Sequence, residues 1–335
     1  LNMKYLISII ALFLQVSMAL SVGVGDDVTV GGLSSGAFFA VQMHISHSKS
    51  INGAAVFAGG PYYCAKGAMI TALTTCMATG IGIDLAGIKR QIASYESSGK
   101  IDSTSNLSGD RVFIFSGTSD STVNPKVNKE TANIYQDFGA EVESDFSFAA
   151  GHTMPTLNNG GICTLTLAPF IGKCNYDGAF TSLSHLHPEV VTNEPGTYNK
   201  DNLFKISQPG GSSAVMGKDA YVYIPEQCQD SSADCSLHIV FHGCQQTIKD
   251  IGTQYVEKTG YNEVAETNNL VILYPQAVSQ FLKNPNGCWD WWGYANSDYA
   301  NQNGKQTKVV KSLIDSLQSG SVSLNRVFSD DDTFE

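Results

Sequence analysis

A chain of 335 residues, 42% of them hydrophobic and 15% charged, can bury a sizeable core and has room for one large or two modest domains. Its formal net charge of -11 excludes the basic footprint that nucleic-acid binding needs. The Asp330-Asp331-Asp332 run reads as a solvated acidic stretch.

Residues 1–19 read as a secretory signal peptide. Lys4 supplies the positive start, Tyr5 to Leu14 the apolar run, and Ser17-Met18-Ala19 a small-x-small cleavage site after Ala19. The alternative, a membrane anchor, is disfavoured: Gln15 and Ser17 interrupt a run already shorter than the ~20 residues of a span. An extracellular or periplasmic address follows, with no stable membrane insertion after cleavage and residues 20–335 forming one catalytic domain.

Val28 to Val30 is a short strand, and Ala37 to Ile45, apolar on several sides, a buried helix. Gly53 to Ala58 and Arg111 to Phe115 are apolar runs expected to be parallel strands. Lys126 to Phe138 is helical, with Pro125 at a favoured first-turn position. Val142 to Phe148 alternates as a strand. From Ser182 to Tyr198 the pattern dissolves into a polar connector holding His185, His187, Pro188 and Pro195. Strands resume at Leu203–Ser207, Ala220–Ile224, Ser236–Phe241 and Leu270–Tyr274, with a helix over Tyr261–Asn268 between the last two. Val309 to Leu317 is a final amphipathic helix. Strands alternating with helices predict an α/β fold, a mainly parallel sheet with helices on both faces.

Eight cysteines in an exported chain predict disulfides. Short loops close easily, so Cys64 with Cys76, Cys163 with Cys174 and Cys228 with Cys235 are the expected pairs, leaving Cys244 and Cys288. The rival, a metal site, lacks a C-x-x-C pair, and neither metal nor cofactor is expected.

Gly32-Leu33-Ser34-Ser35-Gly36 matches the G-x-S-x-G nucleophile elbow of α/β-hydrolases, a sharp strand-to-helix turn that exposes the serine. A serine hydroxyl needs an adjacent base, itself oriented by a carboxylate. The chain order Ser, Asp, His of that fold is met by Ser34, Asp120 in Gly117-Thr118-Ser119-Asp120 and His152 in Gly151-His152-Thr153. Asp120 and His152 each follow a predicted strand, where an open α/β sheet puts its active site. Singly, each could be an ordinary loop residue; the order and placement together favour catalysis. His44 and His47 fall on the helix after Ser34 and are expected to point away from the elbow.

Phe241-His242-Gly243-Cys244 looks like an oxyanion turn, with the backbone N–H groups of Cys244 and Ser35 as donors. Such a turn belongs before the nucleophile, yet here it follows the histidine. Almost nothing but the leader precedes Ser34, so the missing strands are expected at 203–274, in a circularly permuted α/β-hydrolase joined through a connector at about 182–198. Trp289, Trp291 and Trp292 cluster after Cys288. They can line an apolar substrate site or pack in the core.

Gly32–Gly36, the Val56–Cys64 run, Gly117–Asp120, Gly151–Thr153, Leu237–Gln245 and Asn286–Trp291 together resemble single-domain, circularly permuted extracellular poly(3-hydroxybutyrate) depolymerases. The resemblance spans nearly the whole chain past the leader. It implies a secreted serine esterase acting on short-chain polyhydroxyalkanoate, with Ser34, Asp120 and His152 as triad and Ser35 and Cys244 as oxyanion donors. It also implies a Cys244–Cys288 disulfide and substrate contact by Trp291. The segment after Gly320 and a shorter stretch between Gln276 and Asn286 depart from the pattern. Related feruloyl or acetyl-xylan esterases share the elbow and the His-Gly-Cys turn and are the alternative. A non-catalytic binding protein is a more distant one, and a thiol enzyme using Cys244 a third. A polyester or small ester is the expected partner, with no protein partner.

Overall fold

The structure, a computed structural model, describes residues 21–327, so the expected signal peptide and the Asp330–Asp332 run lie outside the described residues. The chain opens with strand β1 (Val24–Leu33), which runs into helix α1 (Ser35–Ser46). All of α1 is buried, which is why its sequence is apolar all round. Strand β2 (Gly53–Phe57) follows, then helix α2 (Met69–Leu73), continued by a π-helical turn at Thr74–Thr79. Helix α3 (Leu85–Ser97), strand β3 (Arg111–Phe115), helix α4 (Pro125–Asp137) and strand β4 (Glu141–Asp145) complete this half. Strand β4 is shorter than the expected 142–148, because Asp145 Oδ1 accepts from the Ser147 N–H and turns the chain.

A small parallel sheet follows, β5 (Met154–Thr156), β6 (Gly161–Ile162) and β7 (Ile171–Lys173), then helix α5 (Gly178–Leu186). Helix α5 corrects the expected connector, whose first residues, 182–186, are helical. Asp177 caps the helix through the Phe180 N–H, and Ala179, Leu183 and Leu186 bury their side chains. The polar look of this stretch came from Ser182, Ser184 and His185. The second half carries β8 (Leu203–Ser207), β9 (Asp219–Tyr223) and β10 (Cys235–Phe241). Three short helices, α6 (Ile248–Ile251), α7 (Gln254–Lys258) and α8 (Tyr261–Glu266), lead to β11 (Leu270–Tyr274). Helix α9 (Lys305–Gln318) and β12 (Asn325–Arg326) end the described chain.

The main sheet runs β12-β8-β9-β11-β10-β1-β2-β3-β4. It is parallel from β11 to β4 and antiparallel at β9, β8 and β12. Strand β1, which leads into Ser34, lies inside it, paired on one side with β10 and on the other with β2. Strands β8 to β11 of the second half of the chain thus join β1 in one sheet. The segment past Gly320 covers the open edge of β8.

Period-two alternation feeds two cores. On β2 and β3, Ala54, Val56, Val112 and Ile114 face one core, shared with α1, α3, α4 and α9. Ala55, Phe57, Phe113 and Phe115 face the other, shared with α5, α7 and α8.

Candidate active site

The turn between β1 and α1 puts Ser34 in the left-handed region, at φ 57°, an unusual conformation for a residue with a Cβ. The Ser34 N–H donates to the Phe57 carbonyl at 2.9 Å. The flanking glycines are there for space. A Cβ on Gly32 would stand 2.5 Å from the Phe241 oxygen, and one on Gly36 2.2 Å from it. The elbow is thus pressed against the end of β10, where the His-Gly-Cys turn begins.

Asp120 and His152 meet behind the elbow. His152 Nδ1 and Asp120 Oδ2 are 2.8 Å apart, with the aspartate side chain fully buried. The other carboxylate oxygen accepts the N–H groups of Thr122 and Val123 at 2.8 and 2.9 Å. The two loops are zipped together by Thr118 N–H to Phe148 O and Ser119 N–H to Ala150 O. Gly117 permits this approach, since a Cβ there would stand 2.1 Å from the Ala150 oxygen. The His152 N–H is held by Thr166 Oγ1 at 3.0 Å.

The His-Gly-Cys turn is fixed from several sides. Ala277 N–H donates to His242 Nε2 at 3.2 Å, so the ring proton sits on Nδ1 and is donated to the Gly243 carbonyl at 2.7 Å. Burial keeps His242 neutral by pushing its pKa down to about 4. The peptide between Gly243 and Cys244 is planar, so anchoring its carbonyl aims the Cys244 N–H the opposite way. Cys244 is also bonded to Cys288. The three local cysteine pairs form as expected, and no cysteine is free. A thiol nucleophile at Cys244 is thereby excluded.

Ser34, His152, Gly243 and Cys244 line one cavity of about 420 Å³. Its far wall is apolar, built from Met69, Leu73 and Met77 of α2 and its π-helical extension, with Trp291 and Trp292 beside them. Trp291 is 5% exposed and stacks on Phe38 at 4.0 Å. Trp289 instead packs in the core against Phe39 and Phe241. Asp290 holds the tryptophan loop by accepting the N–H groups of Gly293, Tyr294 and Ala295; burial still pushes its carboxyl up. The α2 wall was missed in the sequence, where Met69–Thr79 is too short and too lightly patterned to stand out.

Four further histidines make scaffold contacts. His44 bonds Tyr135 and Asp110, and His47 caps α1, both away from the elbow. His185 lies on α5, not in a connector, and pairs with Glu143. His187 ends that helix and bonds Asp27 and Thr29. Among the described residues, no group of three His, Cys, Asp or Glu could hold a metal ion, and no helix is long and apolar enough to cross a membrane.

No protein-family model matches the chain. A poly(3-hydroxybutyrate) depolymerase of Delftia acidovorans is 39% identical over 297 residues, 87% of this chain, which spans 60% of that protein's length. A polyhydroxybutyrate depolymerase of Talaromyces funiculosus is 36% identical over 315 residues, 88% of this chain and 90% of that protein. The crystal structure of a PHB depolymerase from Penicillium funiculosum superposes with a TM-score of 0.81 at 33% identity, covering 90% of this chain and 99% of the other. A serine-to-alanine PHB depolymerase complexed with an R3HB trimer gives the same TM-score and coverage at 32% identity. With its elbow, paired Asp120 and His152, and match over 90% of the Talaromyces enzyme, the chain belongs to the polyhydroxybutyrate depolymerase family.

Proposed function

We propose that this chain is a secreted serine esterase that hydrolyses the ester bonds of poly(3-hydroxybutyrate) or a related short-chain polyhydroxyalkanoate. The observation that carries the reading is the 2.8 Å pairing of His152 with Asp120 beside a cavity that Ser34 also lines. In this mechanism His152 takes the Ser34 proton as Ser34 Oγ attacks the ester carbonyl. Asp120, held by two backbone N–H groups, bonds the ring at Nδ1 and leaves Nε2 as the atom that takes the proton. The Ser35 and Cys244 N–H groups receive the developing oxyanion. The alcohol leaves with the proton from His152, and water then releases the acyl group from Ser34 by the same route. Trp291 and the α2 wall offer apolar surface to the neighbouring monomer units.

The strand order supports a circular permutation. Counted from β8, the strands lie first, second, fourth, third, fifth, sixth, seventh and eighth across the sheet. The old termini are then joined through 187–198, within a single catalytic domain. Four disulfides support an extracellular address.

The test is Ser34→Ala assayed for clearing of polymer granules and for labelling by a fluorophosphonate. Both should be abolished with the melting temperature retained. Turnover comparable to the parent would end the serine-esterase reading, and clearing of feruloyl esters without polymer would redirect it to the alternative substrate class.

A further inference from the structure

Gln246 is 1% exposed, yet its carboxamide is committed at both ends. Its Oε1 accepts the Gly243 N–H at 2.6 Å. Its Nε2 donates to the Pro169 carbonyl at 2.7 Å and stands 3.4 Å from the Phe170 carbonyl. The orientation of the amide is fixed, because a backbone N–H can face only the oxygen and a carbonyl only the NH₂ group. On one side, therefore, Gln246 grips the turn whose Cys244 N–H is the proposed oxyanion donor. With the His242 bond to the Gly243 carbonyl, both peptides flanking Gly243 are pinned. Gly243 lies close to the nucleophile: a Cβ placed on it would stand 3.4 Å from Ser34 Cβ.

On the other side, Gln246 grips the segment that seats the histidine. The Phe170 carbonyl that faces Nε2 also accepts the Met154 N–H at 2.9 Å, two residues beyond His152. Thr166, four residues before Phe170, holds the His152 N–H. The Cys163–Cys174 disulfide closes this segment on itself. One side chain thus spans from the oxyanion turn to the segment that seats the base. Gln246 also lines the cavity, but both of its N–H bonds are already taken, which argues against a direct role in gripping substrate.

We propose that Gln246 is a positioning residue that locks the oxyanion turn and the histidine segment into one unit, so that donor and base are set against Ser34 together. This rests on the serine-esterase reading above. The role needs an acceptor toward Gly243 and a donor toward Pro169 at once. A carboxylic acid in the same place can meet both needs only when protonated.

The test uses Gln246→Glu and Gln246→Ala in the full chain, with kcat and KM for p-nitrophenyl butyrate measured across pH beside the parent. For Gln246→Glu at neutral pH, the carboxylate faces two carbonyl oxygens, and kcat should fall about tenfold or more with KM within about twofold. That is less than the ~10²–10³ lost when an oxyanion donor is deleted outright. As pH falls, the ratio of variant to parent kcat should climb, because the introduced carboxyl regains its proton and donates to Pro169 again. For Gln246→Ala the ratio should stay low and flat. A pH-independent ratio for Gln246→Glu overturns the proposal, as does parent-like kcat in Gln246→Ala with only a lowered melting temperature. Should the alanine variant fail to fold, the pH dependence of Gln246→Glu still decides. Fluorophosphonate labelling of the parent separates the two levels. An unlabelled Ser34 in the parent sinks the esterase reading itself; a labelled parent with unaltered variants sinks the role of Gln246 alone.

Discussion

Gly36 touches Phe241 so closely that a methyl group on the glycine would stand 2.2 Å from the Phe241 carbonyl oxygen and 2.5 Å from that of His242. The two residues are far apart in sequence, but Gly36 opens α1 just past β1, and β1 pairs with β10, whose last residue is Phe241. This contact brings the elbow against the His-Gly-Cys turn. Backbone cannot retreat as a flexible side chain can, so even the smallest substitution must separate the two elements.

Gly36→Ala is therefore expected to be severe although it adds one carbon. Overpacking of this kind costs roughly 1–3 kcal/mol and occasionally more. Esterase activity should fall further than the loss of folded protein explains, because the displaced parts are the proposed nucleophile and oxyanion donor. Thermal melting and kcat on a soluble ester check this. A variant with parent kcat and an unchanged melting temperature would show that the contact is loose.

Much of this arrangement was legible in the sequence. Strands β2, β3, β10 and β11 announced themselves as mainly apolar runs, because a strand buried on both faces has few polar positions. The meeting of Asp120 with His152, beside a cavity that Ser34 also lines, was expected from the order of the three residues at strand ends, while their catalytic roles remain proposals. Helix α5 was misread as part of a connector, since only Ala179, Leu183 and Leu186 mark its buried stripe. Gln246 was invisible, because its partners at 169–170 are set by tertiary contact and no local pattern encodes them. The same holds for the α2 wall, which is held by the Cys64–Cys76 bridge and its packing rather than by a long helical period.

The Cys244–Cys288 disulfide closes a loop with a sequence separation of 44 residues. In the chain-entropy model that constraint is worth about 4 kcal/mol, with the mechanism disputed. Its second effect is local, since it anchors the residue whose N–H is the proposed oxyanion donor. The double variant Cys244→Ser, Cys288→Ser should melt lower and also lose kcat on a soluble ester at temperatures where it remains folded. Unchanged kcat in the folded variant would restrict the disulfide to stability.

Acid sensitivity should be traceable in part to His47. Burial pushes its pKa down to about 4, Lys311 adds to the effect, and Asp102 and Asp315 oppose it. Its Nε2 is buried without a hydrogen-bond partner. The folded value lies below the ordinary one, so the unfolded chain binds the extra proton first. The stability linked to this group is present above about pH 6.5 and lost as pH falls through about 4. On linkage arithmetic the loss is on the order of 3 kcal/mol. Melting temperatures of the parent and of His47→Gln should therefore converge or cross in the variant's favour between these limits. Parallel curves would remove His47 from the account.

Trp291 combines two roles that a sequence alone presents as alternatives. It lines the cavity beside Ser34, and it is also packed, stacking on Phe38 with 13° between the ring planes and meeting Trp292 edge-on. Phe38 belongs to the helix that starts at the elbow, so removing the ring empties space under α1 as well as in the cleft. Trp291→Ala should therefore lower the melting temperature and reduce hydrolysis of polymer and soluble ester together, since buried tryptophan truncations cost roughly 3–5 kcal/mol. That variant cannot separate the roles; Trp291→Phe can. A phenyl ring keeps a stack on Phe38 and most of the packing, but withdraws part of the cavity wall. A soluble ester such as p-nitrophenyl butyrate needs only the acyl pocket and the proposed Ser34, His152 and Asp120 machinery. A polymer needs contacts at several neighbouring units, and an aromatic wall supplies them through apolar area. Trp291→Phe should accordingly keep a near-parent melting temperature and near-parent ester turnover while clearing polymer granules several-fold more slowly. Equal losses on both substrates, in step with a lowered melting temperature, would make Trp291 a packing residue and leave polymer contact to the α2 wall.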